Sequence, residues 1–240
     1  MPAKNVIATT KATRQGYVTQ NMGMYWDFLT EVANGPFSDT EKMAFAAISA
    51  NTAMGGAIDG FLATLNKQGV TEIAEALNFW GVNAPYIKAA YVIGIRETPD
   101  YMIPNPDVNM IEQRELYVSE IQGLGYAKYS FAASLITPFE STICCIDTHM
   151  YQTLTGEIPN GSNIYGRSEK CLALYVELED VLRREAKEID APIFLYQWAV
   201  WDLQRKISQG SPVELHDFLW ARGREHFQIT MDGLELAVDG

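Results

Sequence analysis

Apolar side chains recur along most of the chain at the three- and four-residue spacing of an amphipathic helix. Met24 and Phe28 share one face of the first such segment, which ends at Gly35. Ser38, with Glu41 three positions later, marks the start of the next helix as a capping box. The pattern predicts about ten to twelve helices and no internal repeat. The expected ranges are 21–33, 39–54, 57–65, 72–80, 86–96, 109–121, 126–136, 168–187, 192–208 and 212–226.

A different pattern precedes Asp147. Four consecutive apolar residues, 143–146, lead directly into this acid and Thr148, so a carboxylate follows a buried segment at the start of a helix. Such a carboxylate can cap the helix by accepting a backbone N–H. A carboxylate held at a cleft can also stabilise the positive charge that develops on a sugar ring when a glycosidic bond breaks. The residues alone leave both interpretations open.

Gly123, Leu124 and Gly125 separate two of the predicted helices. Two glycines one residue apart leave backbone amides unobstructed by Cβ atoms. Amides of this kind beside a helix N-terminus can bind phosphate oxygens or surround a bridging cation. A simple tight turn would account for the same three residues, so this alternative stays open.

Composition narrows the class of protein. A chain of 240 residues with 48% hydrophobic and 20% charged residues is typical of a folded globular protein rather than a disordered one. No apolar run reaches the roughly 18 residues of a membrane-spanning helix, and the polar residues 1–16 lack the apolar core of a signal peptide. Three cysteines without a Cys-x-x-Cys pair exclude a disulfide framework and a four-cysteine metal site. We therefore expect a cytoplasmic protein in a reducing compartment, either a cell's own or that of a phage in its host.

The charge balance is acidic. The chain has 18 Lys and Arg against 30 Asp and Glu, a formal net charge of −12, which opposes broad, non-specific binding to nucleic acid. Local groups of basic residues nevertheless predict a few phosphate contacts. These groups are Lys4, Lys11 and Arg14; Arg183, Arg184 and Lys187; and Arg205 and Lys206.

Three stretches together carry a resemblance to a known family. They are Ile-Gln-Gly-Leu-Gly-Tyr-Ala-Lys at 121–128, Cys-Ile-Asp-Thr-His-Met at 145–150, and Tyr-Ile-Lys-Ala at 86–89. A hairpin, a following helix and a later Asp-Thr-His segment, in this order, resemble the helix-hairpin-helix DNA glycosylase (HhH-GPD) superfamily. The resemblance covers about residues 84–155, and the flanking helices fit in number and order.

The resemblance implies an all-α fold of two lobes with a helix-hairpin-helix motif and a cleft between the lobes. Residues 1–240 would form a single glycosylase-like unit. One lobe would span about 36–137, a six-helix barrel that carries the hairpin at 122–126. The other lobe would combine about 15–35 with 141–230. An extensive β-sheet would contradict this interpretation.

The resemblance also implies roles for particular residues. Asp147 matches the catalytic aspartate of the superfamily, and residues 123–125 match the hairpin that grips a DNA phosphate. Members that also cleave the strand place a Schiff-base lysine two residues after the second glycine, where this chain has Ala127. Lys128 follows one position later, a rotation of about 100° on a helix. Either a one-residue insertion returns Lys128 to the site as the nucleophile, or the enzyme uses water.

Other departures indicate a divergent branch. Residues 150–152 read Met-Tyr-Gln where the family often has an arginine, and Gln122 replaces the usual proline of the hairpin. The four-cysteine cluster of the iron–sulfur branch is absent from the sequence. These differences affect the expected substrate more than the expected fold.

Aromatic side chains are the candidates for holding a base that has been rotated out of the DNA stack. Trp198 and Trp201 lie three residues apart and share a helix face, and Trp80 ends an earlier helix. Core packing is the alternative for each of them. DNA is the expected partner, and we expect no metal and no cofactor, with a monovalent cation at the hairpin as the one alternative.

The sequence thus predicts a DNA N-glycosylase acting on a flipped, damaged or modified base, with Asp147 stabilising an oxocarbenium-like transition state. A phage-type transferase of the same superfamily, which modifies a thymine-derived base in DNA, is an alternative. A non-catalytic helix-hairpin-helix DNA-binding module is another. Borohydride trapping and base release separate the glycosylase from the two alternatives, because only a glycosylase gives either signal.

Overall fold

The helices account for most of the structure, a computed structural model that describes residues 8–120, 125–159 and 168–209. Within these ranges there are ten α-helices, one 3₁₀ turn and no β-strand, so the expected all-α fold is confirmed. The helices are α1 Lys11–Ala33, α2 Asp39–Ile48, α3 Met54–Thr64, α4 Val70–Phe79, α5 Pro85–Arg96, α6 Met110–Glu120, α7 Tyr126–Ile136, α8 Thr148–Thr155, α9 Glu169–Glu188 and α10 Ile193–Gln209. The 3₁₀ turn, Asp100–Met102, lies in the proline-rich segment before α6. The predicted helix at 212–226 lies outside the described residues.

Local capping signals place several helix ends where the sequence predicts them. Ser38 and Glu41 form the expected capping box, with the Glu41 amide donating to Ser38 Oγ at 3.3 Å and the Ser38 amide donating to Glu41 Oε2 at 2.7 Å. Helix α7 has the bounds expected from the sequence, and Pro85 occupies the first turn of α5. Each of these ends depends on groups within a few residues of it, which is why the sequence is sufficient.

The first helix is longer than predicted, because it begins at Lys11 rather than at residue 21. The Thr10 hydroxyl accepts the Thr13 amide at 3.1 Å and so provides the start signal. Arg14 and Val18 are both buried, which gives the added turns a packed face. Because Arg14 is charged, the sequence pattern does not identify this face of the helix as buried.

The predicted helices 39–54 and 57–65 leave Gly55 and Gly56 between them as a helix break, and this prediction is wrong. Helix α2 ends at Ile48, the chain turns through Asn51 with a positive φ of 49°, and both glycines lie in the first turn of α3. A Cβ on Gly56 would stand 2.6 Å from the Trp80 carbonyl oxygen. The glycine therefore permits a close approach of the chain to the end of α4 rather than ending a helix. The next predicted helix, 72–80, has Thr71 before it as its expected cap, whereas α4 begins at Val70 and contains Thr71.

Contacts divide the described residues into two compact units. The first contains α1 and α6–α10, and the second contains α2–α5. These units differ from the lobes predicted above in the place of residues 104–137, and the division into functional lobes stays a prediction.

Helix α10 is central to the first unit and packs against α1, α8 and α9. Phe194, Leu195, Ala199 and Val200 are fully buried along it. This burial fixes the helix that carries the candidate tryptophans. No helix in the described ranges has the length and apolar character needed to cross a bilayer.

The second unit contains a lysine that acts as a helix cap. Lys88 of α5 is buried, and its ammonium donates to the Ile48 carbonyl at 2.7 Å, to the Ala50 carbonyl and to Thr52 Oγ1 at 2.6 Å. A cation at the carboxyl end of α2 satisfies carbonyls that no helical amide reaches. Lys88 therefore joins α2 to α5.

Candidate active site

The extended segment before Asp147 is held by side chains, although it pairs with no strand in the described residues. Its three amides at 144–146 donate in turn to Glu179 Oε1 at 2.9 Å, Gln197 Oε1 at 2.7 Å and Tyr175 Oη at 3.0 Å. Buried backbone amides need such partners, because an unsatisfied one costs about 1–3 kcal/mol. Side chains of α9 and α10 therefore set where Asp147 leaves the buried segment.

Glu179 is itself fixed by a buried ion pair. Arg114 of α6 is 0% exposed and binds both carboxylate oxygens, at 2.6 and 2.9 Å. The Arg114 guanidinium lies 4.2 Å from the centroid of the Tyr126 ring and donates to Ser130 Oγ at 3.1 Å. Burial alone would lower the pKa of Arg114, but the hydrogen bonds and charge of Glu179 outweigh it and raise the pKa above its ordinary value. The pair stays charged and connects α6 to the segment.

Asp147 uses both carboxylate oxygens. It has an extended backbone and caps α8, with Oδ1 accepting the Met150 amide at 2.9 Å, so the capping geometry expected from the sequence is present. Oδ2 accepts the indole N–H of Trp201 at 3.0 Å. The side chain is half-buried. Each carboxylate oxygen has two lone pairs, so one hydrogen bond to each leaves acceptor capacity for a further cationic group.

Lys128 lies close enough to Asp147 for their charges to interact. Burial lowers the pKa of its amine, and the charge of the Asp147 carboxylate opposes this shift. Its ammonium nitrogen is 5.3 Å from the centroid of the Phe131 ring. A lysine with a lowered pKa provides more neutral amine near pH 7 than an exposed one. The charges of Lys128 and Asp147 therefore influence each other, and the catalytic roles of both residues stay predictions.

The adjacent cysteines are core residues, as the sequence predicts. Cys144 and Cys145 are buried and free of disulfides. Burial raises the pKa of both thiols, so neither provides a thiolate nucleophile. Among the described residues no cluster of His, Cys, Asp and Glu could hold a metal ion.

Trp201 links Asp147 to three other side chains. Its ring lies edge-to-face with His149 at 5.8 Å and with Trp198 at 5.5 Å, and the Arg205 guanidinium lies 4.7 Å from its centroid. Nothing in the sequence distinguishes Trp201 from Trp198 as the partner of Asp147. The four-residue spacing between Gln197, which holds the segment, and Trp201 is the signal that could have identified this face of α10.

Trp198 is 3% exposed and packs edge-to-face against Phe28 at 5.1 Å. Its indole nitrogen and His149 Nδ1 are buried without a hydrogen-bond partner among the described residues. Trp80 belongs to the other compact unit, where it is 42% exposed and lies edge-to-face with Phe79. The base-pocket role of the three tryptophans stays a prediction.

Of the three residues predicted to grip a phosphate, 123–125, only Gly125 is described. Gly123 and Leu124 lie outside the described residues. Gly125 is exposed, caps α7 and has an extended φ of −98°. Among the described residues no atom would lie within 4 Å of a Cβ there. Neither its φ nor crowding by the part of the chain that the structure describes requires a glycine, and the hairpin's part in DNA binding stays a prediction.

Several of the basic residues proposed for phosphate contacts are engaged in ion pairs instead. Arg14 is buried and its guanidinium contacts the Glu185 carboxylate, 171 residues away in the sequence, at 2.5 Å. Lys11 pairs with Glu188, Arg183 with Asp180, and Lys206 with Asp202. Lys4 lies outside the described residues. The acidic partners are distant in sequence or on the same helix face, which a count of local charges does not detect.

The ten helices have the fold of helical DNA glycosylases. The chain is similar to an 8-oxoguanine glycosylase/lyase of Methanocaldococcus jannaschii in complex with a 15mer DNA containing 8-oxoguanine, with a TM-score of 0.66 and 18% identity over 83% of this chain and 98% of that one. The 8-oxoguanine DNA glycosylase Tm1821 of Thermotoga maritima gives a TM-score of 0.63 and 17% identity over 84% and 96%. A second structure of the Methanocaldococcus jannaschii enzyme, named MjOgg, gives 0.61 and 18% over 84% and 94%.

No family model and no curated protein matches the chain. The similar solved structures nevertheless confirm the fold that the resemblance to DNA glycosylases implies.

Proposed function

We propose that this protein is a DNA N-glycosylase that removes a flipped, damaged or modified base. The observation that carries the proposal is the Asp147 carboxylate, which the Met150 amide and the Trp201 indole N–H hold in place within a DNA-glycosylase fold. A fixed carboxylate can stabilise the cationic sugar that forms as a glycosidic bond breaks, and a nearby amine of lowered pKa can act as the nucleophile.

In the proposed reaction the base is rotated out of the DNA stack. Its glycosidic bond breaks, the bonding electrons and a proton go to the base, and the Asp147 carboxylate stabilises the cationic sugar. The neutral amine of Lys128, or a water molecule, attacks C1′ and loses the proton that the departing base takes up. Attack by the amine gives a Schiff base after the sugar ring opens, and attack by water gives an abasic site. The lowered pKa of Lys128 supports the amine.

DNA is the proposed partner, bound through the amides of Gly123, Leu124 and Gly125. The net charge of −12 and the ion-paired basic residues favour a small number of phosphate contacts. Binding should therefore depend mainly on the hairpin and the flipped base. The similar solved structures are of proteins named 8-oxoguanine glycosylases, so 8-oxoguanine is the first base to test.

The experiment is a panel of single- and double-stranded oligonucleotides that contain 8-oxoguanine, uracil or alkylated purines, incubated with and without borohydride. We expect base release on at least one substrate and a borohydride-trapped complex with it. Lys128→Ala should abolish trapping, whereas Lys170→Ala, which removes an exposed lysine of α9, should not.

Each other outcome is informative. Base release without trapping would assign water as the nucleophile. Neither signal on any substrate would contradict the glycosylase proposal and favour the transferase or the binding module. A chemical change of the bound base without its release would indicate the transferase, and binding without any such change would indicate the module.

A further inference from the structure

Asp147 accepts hydrogen bonds from two different helices. The cap hydrogen bond comes from the backbone of α8, and the indole N–H comes from α10. A carboxylate held through Oδ1 alone can turn about its last torsion. A second donor on Oδ2 fixes that torsion as well, and a hydrogen bond to a charged acceptor is stronger than one between neutral groups.

Trp201 is itself held firmly enough to act as a reference point. Arg205 stacks on its ring, while His149 and Trp198 contact it edge-to-face. Its helix is anchored by fully buried residues such as Ala199 and Val200. The indole N–H therefore defines a position for Oδ2 without help from a substrate.

We infer that Trp201 is a positioning residue, whose indole N–H orients the Asp147 carboxylate toward the developing cationic sugar. This inference rests on the proposed glycosylase function. It differs from a base-stacking role for Trp201, because stacking needs the ring face and positioning needs the N–H. Misplacing a preorganised charged group slows the chemical step more than it weakens substrate binding.

The central test is Trp201→Phe, which keeps an aromatic ring and removes the donor. The matched control is Trp26→Phe. Trp26 lies in the same unit, is 47% exposed and stacks on Phe139 with 4.4 Å between the ring centroids. It is not among the residues that contact Asp147. We expect single-turnover base release by Trp201→Phe to fall about tenfold, the scale of one hydrogen bond to a charged group. Its dissociation constant for the same DNA should stay within about twofold of wild type, the margin of one weak contact. The control should match wild type in both measurements.

A wild-type release rate for Trp201→Phe would overturn the inference, and so would a weakened affinity with an unchanged rate, which indicates stacking. Thermal unfolding of each variant shows whether the protein is folded. If wild type releases no base from any substrate, the proposed function is wrong, and the catalytic role of Trp201 is wrong with it.

A second measurement does not need activity. The indole N–H resonance that disappears in Trp201→Phe should exchange slowly with water in wild type and faster in Asp147→Ala, because the acceptor is lost. Equal exchange in both would show that the hydrogen bond does not hold Trp201 to Asp147, and would overturn the inference even in an active enzyme.

Discussion

The buried pair of Arg114 and Glu179 leads to a quantitative prediction. Glu179→Gln preserves the shape of the side chain and an oxygen that can still accept the Cys144 amide. It removes the negative charge opposite a guanidinium that is 0% exposed. Removing one partner of a buried ion pair costs about 3–5 kcal/mol, because the remaining charge has no compensation.

Two aromatic rings reduce this cost. The guanidinium lies 4.2 Å from the centroid of Tyr126 and 5.3 Å from that of Tyr175, and a desolvated cation–π contact contributes about 1–2 kcal/mol. We therefore expect Glu179→Gln to lower the free energy of unfolding by about 3 kcal/mol. For a chain of this length that lowers the melting temperature by about 6–12 °C.

The assay is urea and thermal unfolding of Glu179→Gln beside Glu188→Gln, a change of the same kind on the same helix. Glu188 pairs with Lys11 at the surface, where both side chains are about half exposed. Exposed pairs contribute little to stability. The control should unfold close to wild type.

The double variant Arg114→Met with Glu179→Gln separates charge from packing. If the unpaired cation causes the loss, the double variant should be more stable than Glu179→Gln alone. The reasoning is refuted if Glu179→Gln unfolds like Glu188→Gln, or if removing Arg114 restores no stability.

Three further predictions concern other parts of the molecule. Gly125→Val should weaken DNA binding measured by fluorescence anisotropy without changing the unfolding midpoint, because a Cβ there meets no atom of the described residues. Unchanged affinity would show that the hairpin is only a turn. Lys88→Met should lower the free energy of unfolding by about 1–3 kcal/mol, because the carbonyl of Ile48 and its neighbours lose their donor; wild-type unfolding would contradict the cap. The rate of borohydride trapping should rise with pH, because only the neutral amine of Lys128 attacks. Since the pKa of Lys128 is lowered, the rate should reach its plateau at a lower pH than that of an exposed lysine. A trapping rate that does not change with pH would contradict this prediction.

The features that the sequence predicts well are those whose causes lie within one helical turn. Ser38 and Glu41 cap α2 through contacts three residues apart, and Asp147 accepts an amide three residues ahead. These contacts depend on residue type and spacing alone. The apolar run before Asp147 is equally local, and its residues are buried as expected.

The features that could not be predicted join residues far apart in the sequence. Trp201 is 54 residues from Asp147, and Glu179 is 65 residues from Arg114. No local pattern states that these side chains meet. Gly56 was misinterpreted for the same reason, since it faces the Trp80 carbonyl of another helix. The sequence therefore identifies the acid of the candidate site, and the structure identifies the groups that hold it.

The central claim is that Asp147 acts as a catalytic carboxylate in addition to capping α8. The most direct measurement is the single-turnover rate of base release by Asp147→Asn, per folded molecule, on the oligonucleotide that wild type processes. Asparagine caps a helix about as well as aspartate, so folding should be nearly unchanged. Loss of the negative charge should slow release by about 100-fold or more. A variant that unfolds more easily but releases base at the wild-type rate would show that Asp147 is only a cap, and would contradict the account.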